Sequence, residues 1–314
     1  MPKIINIAGQ KIKLGEEKTV LLNIARLPTR TSIDTPIIVS RGEKDGPVLL
    51  MLAGLHGDEI NGVEILRQLL AKNYNRPEVG SVICVPVMNI YGFLNYSRDL
   101  PDGKDINRSF PGSPHGSLAS LVAYHTMKDI LPLIDYGIDF HTGGGQRANF
   151  PQVRCKMDDA VNQALAHAFN PPFIVNSNFR NKSLRQLAMR NNKRIIVYEG
   201  GESQRFDNDA ISEGLAGARR IMKYLGLSKT APDIRREPIL IRKSAWVRAH
   251  TAGIFHSTVP LGAMVTKNQK LGFITDPYGD FEVRLKSPSD GYVIGLNNNP
   301  IINHGDALLH IGVL

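Results

Sequence analysis

An uninterrupted apolar stretch at residues 48–53, Val-Leu-Leu-Met-Leu-Ala, constrains the fold of this chain more than any other feature. Such a run is typical of a strand that is buried on both faces of a mostly parallel sheet. Glycines end the run, and from Asp58 onward apolar residues return at helical spacing. The stretch therefore predicts a strand, a tight loop and a helix, with Asp58 as the N-cap of the helix.

His56 and Glu59 belong to the loop and the first helical turn of this unit. Three positions apart across such a turn, both side chains can point into the crevice beyond the strand ends, where open α/β sheets bind ligands. An imidazole and a carboxylate that converge there indicate a metal site. The same spacing also arises by chance, however, and the simpler interpretation is an exposed polar pair.

Two later segments end in the same way as the first. Residues 134–141 run as a strand into glycines, with His141 at the exit, and residues 194–199 form a third apolar strand that ends in Glu199. Strand alternation puts Asp139 on the same face as His141, so its carboxylate can orient the imidazole. A single histidine at a strand end is more often structural, but a second one at the corresponding place favours a shared site.

The overall charge and composition exclude several classes of protein. The chain has 314 residues, 42% of them hydrophobic, and a net charge of +9. The basic residues are scattered, which favours ordinary surface charge first and steering of small anionic substrates second. Nucleic-acid binding requires clustered basic residues. No apolar run approaches the roughly 18 residues of a membrane span, and the start lacks a secretory signal, so we expect a cytoplasmic enzyme.

The predicted fold is an α/β class with a mixed, mostly parallel central sheet flanked by helices, followed by a small all-β domain. Residues 287–294 and 305–311 resemble the barrel-sandwich form of biotinyl and lipoyl domains. The candidate hairpin tip at 295–299 has no lysine, which argues against a swinging-arm role. The predicted divisions are an N-terminal β segment at 1–42, the main α/β domain at 43–228 and the C-terminal β domain at 235–314.

Four short segments occur together in one order along the chain. They are 54–59 (Gly-Leu-His-Gly-Asp-Glu), 105–112 (Asp-Ile-Asn-Arg-Ser-Phe-Pro-Gly), 138–144 (Ile-Asp-Phe-His-Thr-Gly-Gly) and 198–201 (Tyr-Glu-Gly-Gly). This set resembles the succinylglutamate desuccinylase/aspartoacylase family, which is related to the zinc carboxypeptidases. The likeness spans about residues 45–225 and implies a zinc hydrolase domain with a zinc-carboxypeptidase-like fold, and the additional C-terminal β domain is also a family feature.

The resemblance implies a role for each polar residue of these segments. One Zn²⁺ per chain would be held by His56, Glu59 and His141, with water in the fourth position. Glu199 would be the general base that takes a proton from that water and later delivers it to the leaving amine. The residues implied in substrate contacts are Arg98, which would polarise the carbonyl, Asn107 and Arg108, which would grip the substrate carboxylate, and Arg185, a further anion contact.

The sequence therefore predicts a zinc-dependent amidohydrolase that removes an acyl group from an N-acyl amino acid or a similar small anionic amide. One alternative is a zinc carboxypeptidase that acts on peptides, since it would use the same metal centre. Another is a non-catalytic metal-binding scaffold in which the β domain carries the function. The β domain could cap the cleft or form a subunit contact, so a homo-oligomer is compatible with the sequence.

Overall fold

The structure, a computed structural model, describes residues 3–26, 29–234 and 236–314. The first ten strands are β1 Ile5–Ile7, β2 Gln10–Ile12, β3 Glu17–Arg26, β4 Ser32–Arg41, β5 Lys44–Leu52, β6 Val79–Val85, β7 Tyr136–Gly143, β8 Arg147–Cys155, β9 Phe173–Asn176 and β10 Arg194–Glu202. The later strands are β11 Ile239–Ile241, β12 Lys243–Arg248, β13 Gly253–Ser257, β14 Met264–Val265, β15 Lys270–Thr275, β16 Glu282–Lys286, β17 Gly291–Asn297, β18 Ile301–Ile302 and β19 Ala307–Val313.

The described residues also form six α-helices and some shorter helical turns. The α-helices are α1 Ile60–Ala71, α2 Ile90–Leu94, α3 Leu118–His125, α4 Ala160–Phe169, α5 Leu184–Arg190 and α6 Asn208–Tyr224. A 3₁₀ turn at Ile106–Arg108 interrupts the long polar loop, and a π turn at Thr126–Ile130 and a 3₁₀ turn at Leu131–Leu133 continue α3. Within the described part of the chain, no helix combines the length and the apolar character needed to cross a membrane.

The central sheet is mixed, as predicted. Its order is β12-β19-β17-β8-β10-β7-β5-β6-β4-β3, with further strands attached at its sides. The four strands β10, β7, β5 and β6 are parallel, and antiparallel strands extend the sheet on both sides. Two more parallel pairs, β8 with β9 and β9 with β11, lie at one side of the sheet. The sheet is thus less parallel than predicted, but at its centre the carboxyl ends of β5, β7 and β10 lie at one edge.

The strand β5 is buried on both faces, as its apolar run predicts. Leu50 and Leu52 pack into one hydrophobic core, and Leu49 and Met51 pack into the other. The first core is covered by α3 and α5, and the second by α1, α4 and α6. This alternation follows from the twofold period of a strand and gives a three-layer arrangement of helices, sheet and helices.

The C-terminal residues from Ile239 onward form strands only, with a hydrophobic core of their own. Part of this region is continuous with the main sheet, because β17 pairs with β8 and β11 pairs with β9. The strands β16, β15, β13 and β18 form a separate four-stranded sheet. The buried Gln152 amide on β8 also donates a 2.9 Å hydrogen bond to the carbonyl of Ile294 on β17. The barrel-sandwich likeness and the domain divisions stay predictions, and residues 1, 2, 27, 28 and 235 of the predicted divisions lie outside the described residues.

The loop after β5 differs from its prediction in one respect. Glu59, not Asp58, is the N-cap of α1, and no side chain caps that helix. The Asp58 carbonyl instead accepts a hydrogen bond from the Gln204 amide, and the Glu59 carboxylate contacts residues across the sheet. Gly57 is required here because a Cβ atom would overlap the backbone of Gly92 at about 2.0 Å. Tight packing against α2 therefore shapes the loop that presents His56.

Candidate active site

The parallel strands bring the predicted residues to one edge of the sheet. Leu52 at the end of β5 lies opposite Asp139 on β7, and His141 on β7 lies opposite Glu199 on β10. His56 follows β5 within four residues. Because the three strands run in the same direction, the polar residues at their carboxyl ends meet in one crevice, as the sequence predicts.

His56, Glu59 and His141 form a buried group that can hold a metal ion. The Nδ1 atoms of the two histidines are 3.1 Å apart, and Glu59 places its two carboxylate oxygens 2.9 Å and 2.7 Å from them. A tetrahedral ion with bonds of about 2.0–2.1 Å separates its ligand atoms by about 3.3 Å. The three donors are therefore close to the edges of such a tetrahedron.

Two further carboxylates orient the imidazoles. Asp105 lies 3.1 Å from His56 Nε2, and Asp139 lies 2.9 Å from His141 Nε2. A carboxylate at Nε2 favours the tautomer in which that nitrogen carries the proton and Nδ1 keeps its lone pair. Two lone pairs that face each other at 3.1 Å repel unless a cation or a proton lies between them. The donor set thus fits a cation, and Asp139 occupies the orienting position predicted for it.

Glu59 has additional partners that hold its carboxylate in place. The Thr142 amide donates to Oε2 at 3.1 Å, and Arg98 Nη1 donates to Oε1 at 3.0 Å. Burial alone would raise the pKa of Glu59, but His56 and His141 outweigh burial through their hydrogen bonds and, when they are protonated, through their charge, and they lower that pKa well below its usual range. Glu59 is therefore ionised, as a metal ligand must be.

Arg98 links two of these carboxylates. Besides Glu59, it donates from Nη2 to Asp105 at 2.9 Å. Burial would raise the pKa of Asp105, but His56 and Arg98 reverse the effect and lower it. Arg98 is thus a cation directly beside the metal group, at the cavity wall. Its predicted contact with a substrate carbonyl stays a prediction.

Glu199 is held from the neighbouring strand β8. The Asn149 amide donates to Glu199 Oε2 at 2.5 Å, and Arg154 Nη1 lies 3.2 Å from Oε1. The pairing of β8 with β10 shifts register between Glu199 and Gly201, and such a bulge re-aims a side chain. The carboxylate therefore faces the same cavity as the metal group.

That cavity has a volume of about 510 Å³, within the usual range for a small-molecule site. It contains all eight of the predicted site residues. Six arginines line it against three carboxylates, which favours anionic ligands. The arginines are Arg98, Arg108, Arg147, Arg154, Arg180 and Arg185, and the carboxylates are those of Glu59, Asp139 and Glu199.

Asn107 and Arg108 lie on the 3₁₀ turn at the cavity wall. The Asn107 side-chain oxygen accepts a 3.0 Å hydrogen bond from the amide of Leu184, the first residue of α5. Its Nδ2 atom and the adjacent Arg108 guanidinium are donors at the cavity wall. The pair therefore has the chemistry expected of a carboxylate contact, and the contact itself stays a prediction.

Arg185 is buried and most of its N–H groups are already used. It donates to the carbonyls of Arg154, Ser177 and Asn178 at 3.0–3.2 Å. Burial, together with the nearby Arg154 cation, lowers the pKa of Arg185 to about 10. This geometry favours a structural role that joins β8 to α5, although the side chain does reach the cavity.

Several residues of the site were not identified from the sequence. Asp105, which contacts His56, is within a segment already singled out, two positions before Asn107, and could have been found there. Asn149 and Arg154 belong to β8, whose antiparallel pairing depends on contacts distant in sequence. One sequence feature could have drawn attention to Trp246: it is the only tryptophan in the chain. The further cavity residues missed by sequence reasoning include Thr142, Arg147 and Arg180.

Comparisons with known proteins identify chains that are similar to this one. The N-alpha-acetyl-L-2,4-diaminobutyric acid deacetylase of Halomonas elongata is 29% identical over 287 residues, which cover 86% of this chain and 83% of that protein. A succinylglutamate desuccinylase/aspartoacylase structure from Rhodobacter sphaeroides has 25% identity and a TM-score of 0.85, with 98% of each chain covered. The product-bound ectoine utilization protein of Ruegeria pomeroyi shares the fold, with 24% identity, a TM-score of 0.86 and coverage of 100% and 99%.

Residues 45–225 match the succinylglutamate desuccinylase/aspartoacylase catalytic domain. That range is more than half of the 314 residues, and it contains all eight of the predicted site residues. It also agrees with the span of about 45–225 over which the four ordered segments predict the likeness. The chain belongs to the succinylglutamate desuccinylase/aspartoacylase family, a family of hydrolases that act on amide bonds.

Proposed function

We propose that this chain is a zinc-dependent amidohydrolase that removes the acyl group from a small anionic N-acyl amino acid. One observation carries the proposal. The buried His56–Glu59–His141 group and the Glu199 carboxylate face a single cavity that is rich in arginine. The name of the Halomonas relative, an N-acetyl amino acid deacetylase, supports the same reaction class.

Two histidines and one glutamate form the ligand set of several zinc hydrolases. A zinc ion held by His56, Glu59 and His141 would act as a Lewis acid and lower the pKa of a coordinated water. Asp105 and Asp139 keep the two imidazoles in the tautomer with a free Nδ1 lone pair. These carboxylates also offset the positive charge of the buried site.

Glu199 transfers the proton from the attacking water to the leaving amine. Its carboxylate takes a proton from the attacking water and then delivers it to the leaving amine nitrogen. Asn149 and Arg154 hold the two oxygens of this group from β8, so the carboxylate is already oriented before the substrate binds. Asn107 and Arg108 bind the substrate carboxylate, and Arg98 provides positive charge where the carbonyl oxygen becomes negative.

The size and charge of the cavity support a small anionic substrate over a peptide. About 510 Å³ accommodates one acyl amino acid, and the excess of arginine favours carboxylates. A peptidase would need room for a longer chain. Trp246 from the C-terminal strands closes one side of this space.

Metal content and turnover test the proposal together. We expect about one zinc ion per chain in the wild type and in Glu199→Gln, and none in His56→Ala. A panel of N-acyl amino acids and short peptides then defines the reaction. Hydrolysis of the acyl amino acids should fall by about 10²–10⁴-fold in Glu199→Gln because the proton acceptor is lost.

A matched control is His256→Ala, since His256 is an exposed histidine of β13 outside the cavity. It should retain both zinc and turnover. Near-wild-type turnover in Glu199→Gln would show that the assigned base is wrong. Turnover of peptides alone would establish a carboxypeptidase, and a chain that binds no metal even when zinc is supplied would leave only the scaffold function.

A further inference from the structure

The only tryptophan of the chain lies at the active site. Trp246 is a half-buried residue of β12, in the all-strand C-terminal part of the chain. It nevertheless lines the same cavity as His56, Glu59 and Glu199. The C-terminal strands therefore complete the wall of a site whose other residues come from the catalytic domain.

The indole ring is fixed by its neighbours. It stacks on His310 of β19, with ring centroids 4.5 Å apart and planes only 8° from parallel. Burial, together with the cation of Arg154, lowers the pKa of His310 to about 3, so this imidazole is neutral at physiological pH. The Arg147 guanidinium lies 5.8 Å from the centre of the Trp246 ring, within the range of a cation–π contact.

A row of paired residues connects this stack to the catalytic carboxylate. Trp246 lies opposite His310, His310 lies opposite Gly295, and Gly295 lies opposite Asn149. Asn149 in turn donates to Glu199. A Cβ atom on Gly295 would lie 3.1 Å from both the Asn149 side-chain oxygen and the His310 Cβ, so this glycine lets the two side chains approach each other.

The row defines two ends of the cavity. The metal group belongs to β7 and to the loop after β5, whereas Trp246 belongs to β12, on the far side of Glu199 in the strand order. An amide positioned between the metal group and Glu199 must therefore extend one of its substituents toward Trp246. Stacking on His310 restrains the indole against rotating away to admit a larger substituent.

We propose that Trp246 is a specificity-determining residue that limits the length of the substrate group on the far side of Glu199. This inference rests on the proposed function. The indole offers apolar surface to that group at the cavity wall, and Arg147 offers a cation beside it. The preferred group is accordingly short, with an apolar stem that bears a terminal negative charge or none.

The single tryptophan allows a test of contact that does not depend on turnover. The probes are N-succinyl-L-glutamate and Nα-acetyl-L-2,4-diaminobutyrate, added to zinc-loaded Glu199→Gln, with binding followed independently by calorimetry. Any probe that binds should change the Trp246 emission in a saturable way, at the same concentration at which heat is released. Binding of a probe without a change in emission would overturn the inference.

The substrate series then tests specificity. N-acetyl, N-butanoyl and N-hexanoyl forms of one amino acid vary the acyl end, and N-acetyl forms of glycine, glutamate and tyrosine vary the other end. Trp246→Ala should raise kcat/KM for long relative to short members by at least about tenfold in one of the two series. Trp246→Phe, which keeps an aromatic ring on His310, should raise this kcat/KM ratio less. It is also the control for a folding defect in the alanine variant.

The inference would be overturned if the ratio of kcat/KM for long and short members is unchanged in both series. This result counts only for a folded Trp246→Ala protein that still hydrolyses the short members. Failure of the proposed function is a different result. In that case the wild type hydrolyses no N-acyl amino acid at all, while the emission titration still reports whether Trp246 faces the bound probe.

Discussion

The Asn149 side-chain amide donates a 2.5 Å hydrogen bond to Glu199 Oε2, across two strands that are antiparallel neighbours. Arg154, five residues further along the same strand, lies 3.2 Å from the other carboxylate oxygen. The proposed base is thus held at both oxygens by β8 rather than by its own strand. Because β8 also pairs with β17, the C-terminal strands support this arrangement.

Replacing Asn149 by alanine should lower kcat by about 10–100-fold, because a misplaced base loses alignment with the attacking water. KM and zinc content should change little. The measurement is steady-state kinetics on the best N-acyl amino acid, with thermal unfolding to confirm the fold.

The Asn149→Asp variant separates orientation of the base from packing. Two carboxylates in contact repel, and a shared proton relieves that repulsion. This variant should therefore be inactive at neutral pH and recover activity as the pH falls. A wild-type pH profile in Asn149→Asp, or an unchanged kcat in Asn149→Ala, would exclude a positioning role.

Zinc affinity should depend on the two carboxylates that orient the histidines. Asp105→Asn and Asp139→Asn should each weaken zinc binding by about 10–100-fold, since the imidazole loses its orienting partner. The measurement is competition against a zinc-binding dye. Asp129→Asn is the matched control, because Asp129 pairs with His125 at 2.9 Å outside the cavity. If Asp105→Asn and Asp139→Asn bind zinc as tightly as Asp129→Asn, the two carboxylates do not orient the histidines.

Arg185 should affect stability more than substrate binding. Arg185→Met removes the donors to three partly buried backbone carbonyls, and a carbonyl left unsatisfied away from water costs about 1–3 kcal/mol. Because water reaches part of these carbonyls, the free energy of unfolding should fall by less than the full sum, about 2–4 kcal/mol in urea titrations, with a small change in KM. Arg180→Met is the control, since Arg180 lines the same cavity but is exposed. A large rise in KM with unchanged stability would instead support the anion contact that the sequence predicts.

The positions of His56, His141 and Glu199 were predictable because each lies near or just beyond the carboxyl end of a buried apolar strand. Parallel strands bring their carboxyl ends together whatever the details of packing, so the local pattern was sufficient. Asp58 shows the limit of local reasoning. It has the composition of an N-cap, but the partners of Glu59 across the sheet determine where α1 begins.

Asn149 and Trp246 could not be placed in the same way. Asn149 reaches Glu199 through an antiparallel pairing and a register shift, neither of which leaves a periodic signal in the sequence. Trp246 reaches the cavity because β12 pairs with β19, β19 with β17 and β17 with β8. Each of those pairings depends on residues distant in sequence, so the C-terminal contribution to the site emerges only from the folded chain.

His310 should make the protein less stable as the pH falls below neutrality. Its pKa in the folded chain is about 3, lowered by burial and by the Arg154 cation, whereas an unfolded histidine has a pKa of about 6.5. Between these values the unfolded chain binds a proton that the folded chain does not. Stability is therefore fully present above about pH 6.5 and is lost as the pH falls toward 3.

The test compares the wild type with His310→Phe, which keeps an aromatic ring against Trp246 but cannot be protonated. From pH 7 to pH 5 the wild type should lose about 2 kcal/mol more unfolding free energy than the variant, by urea titration at each pH. His256→Phe, an exposed histidine that stacks on Phe273, should behave as the wild type. If the free energy of unfolding changes equally with pH in all three proteins, His310 is not a buried neutral imidazole stacked on Trp246.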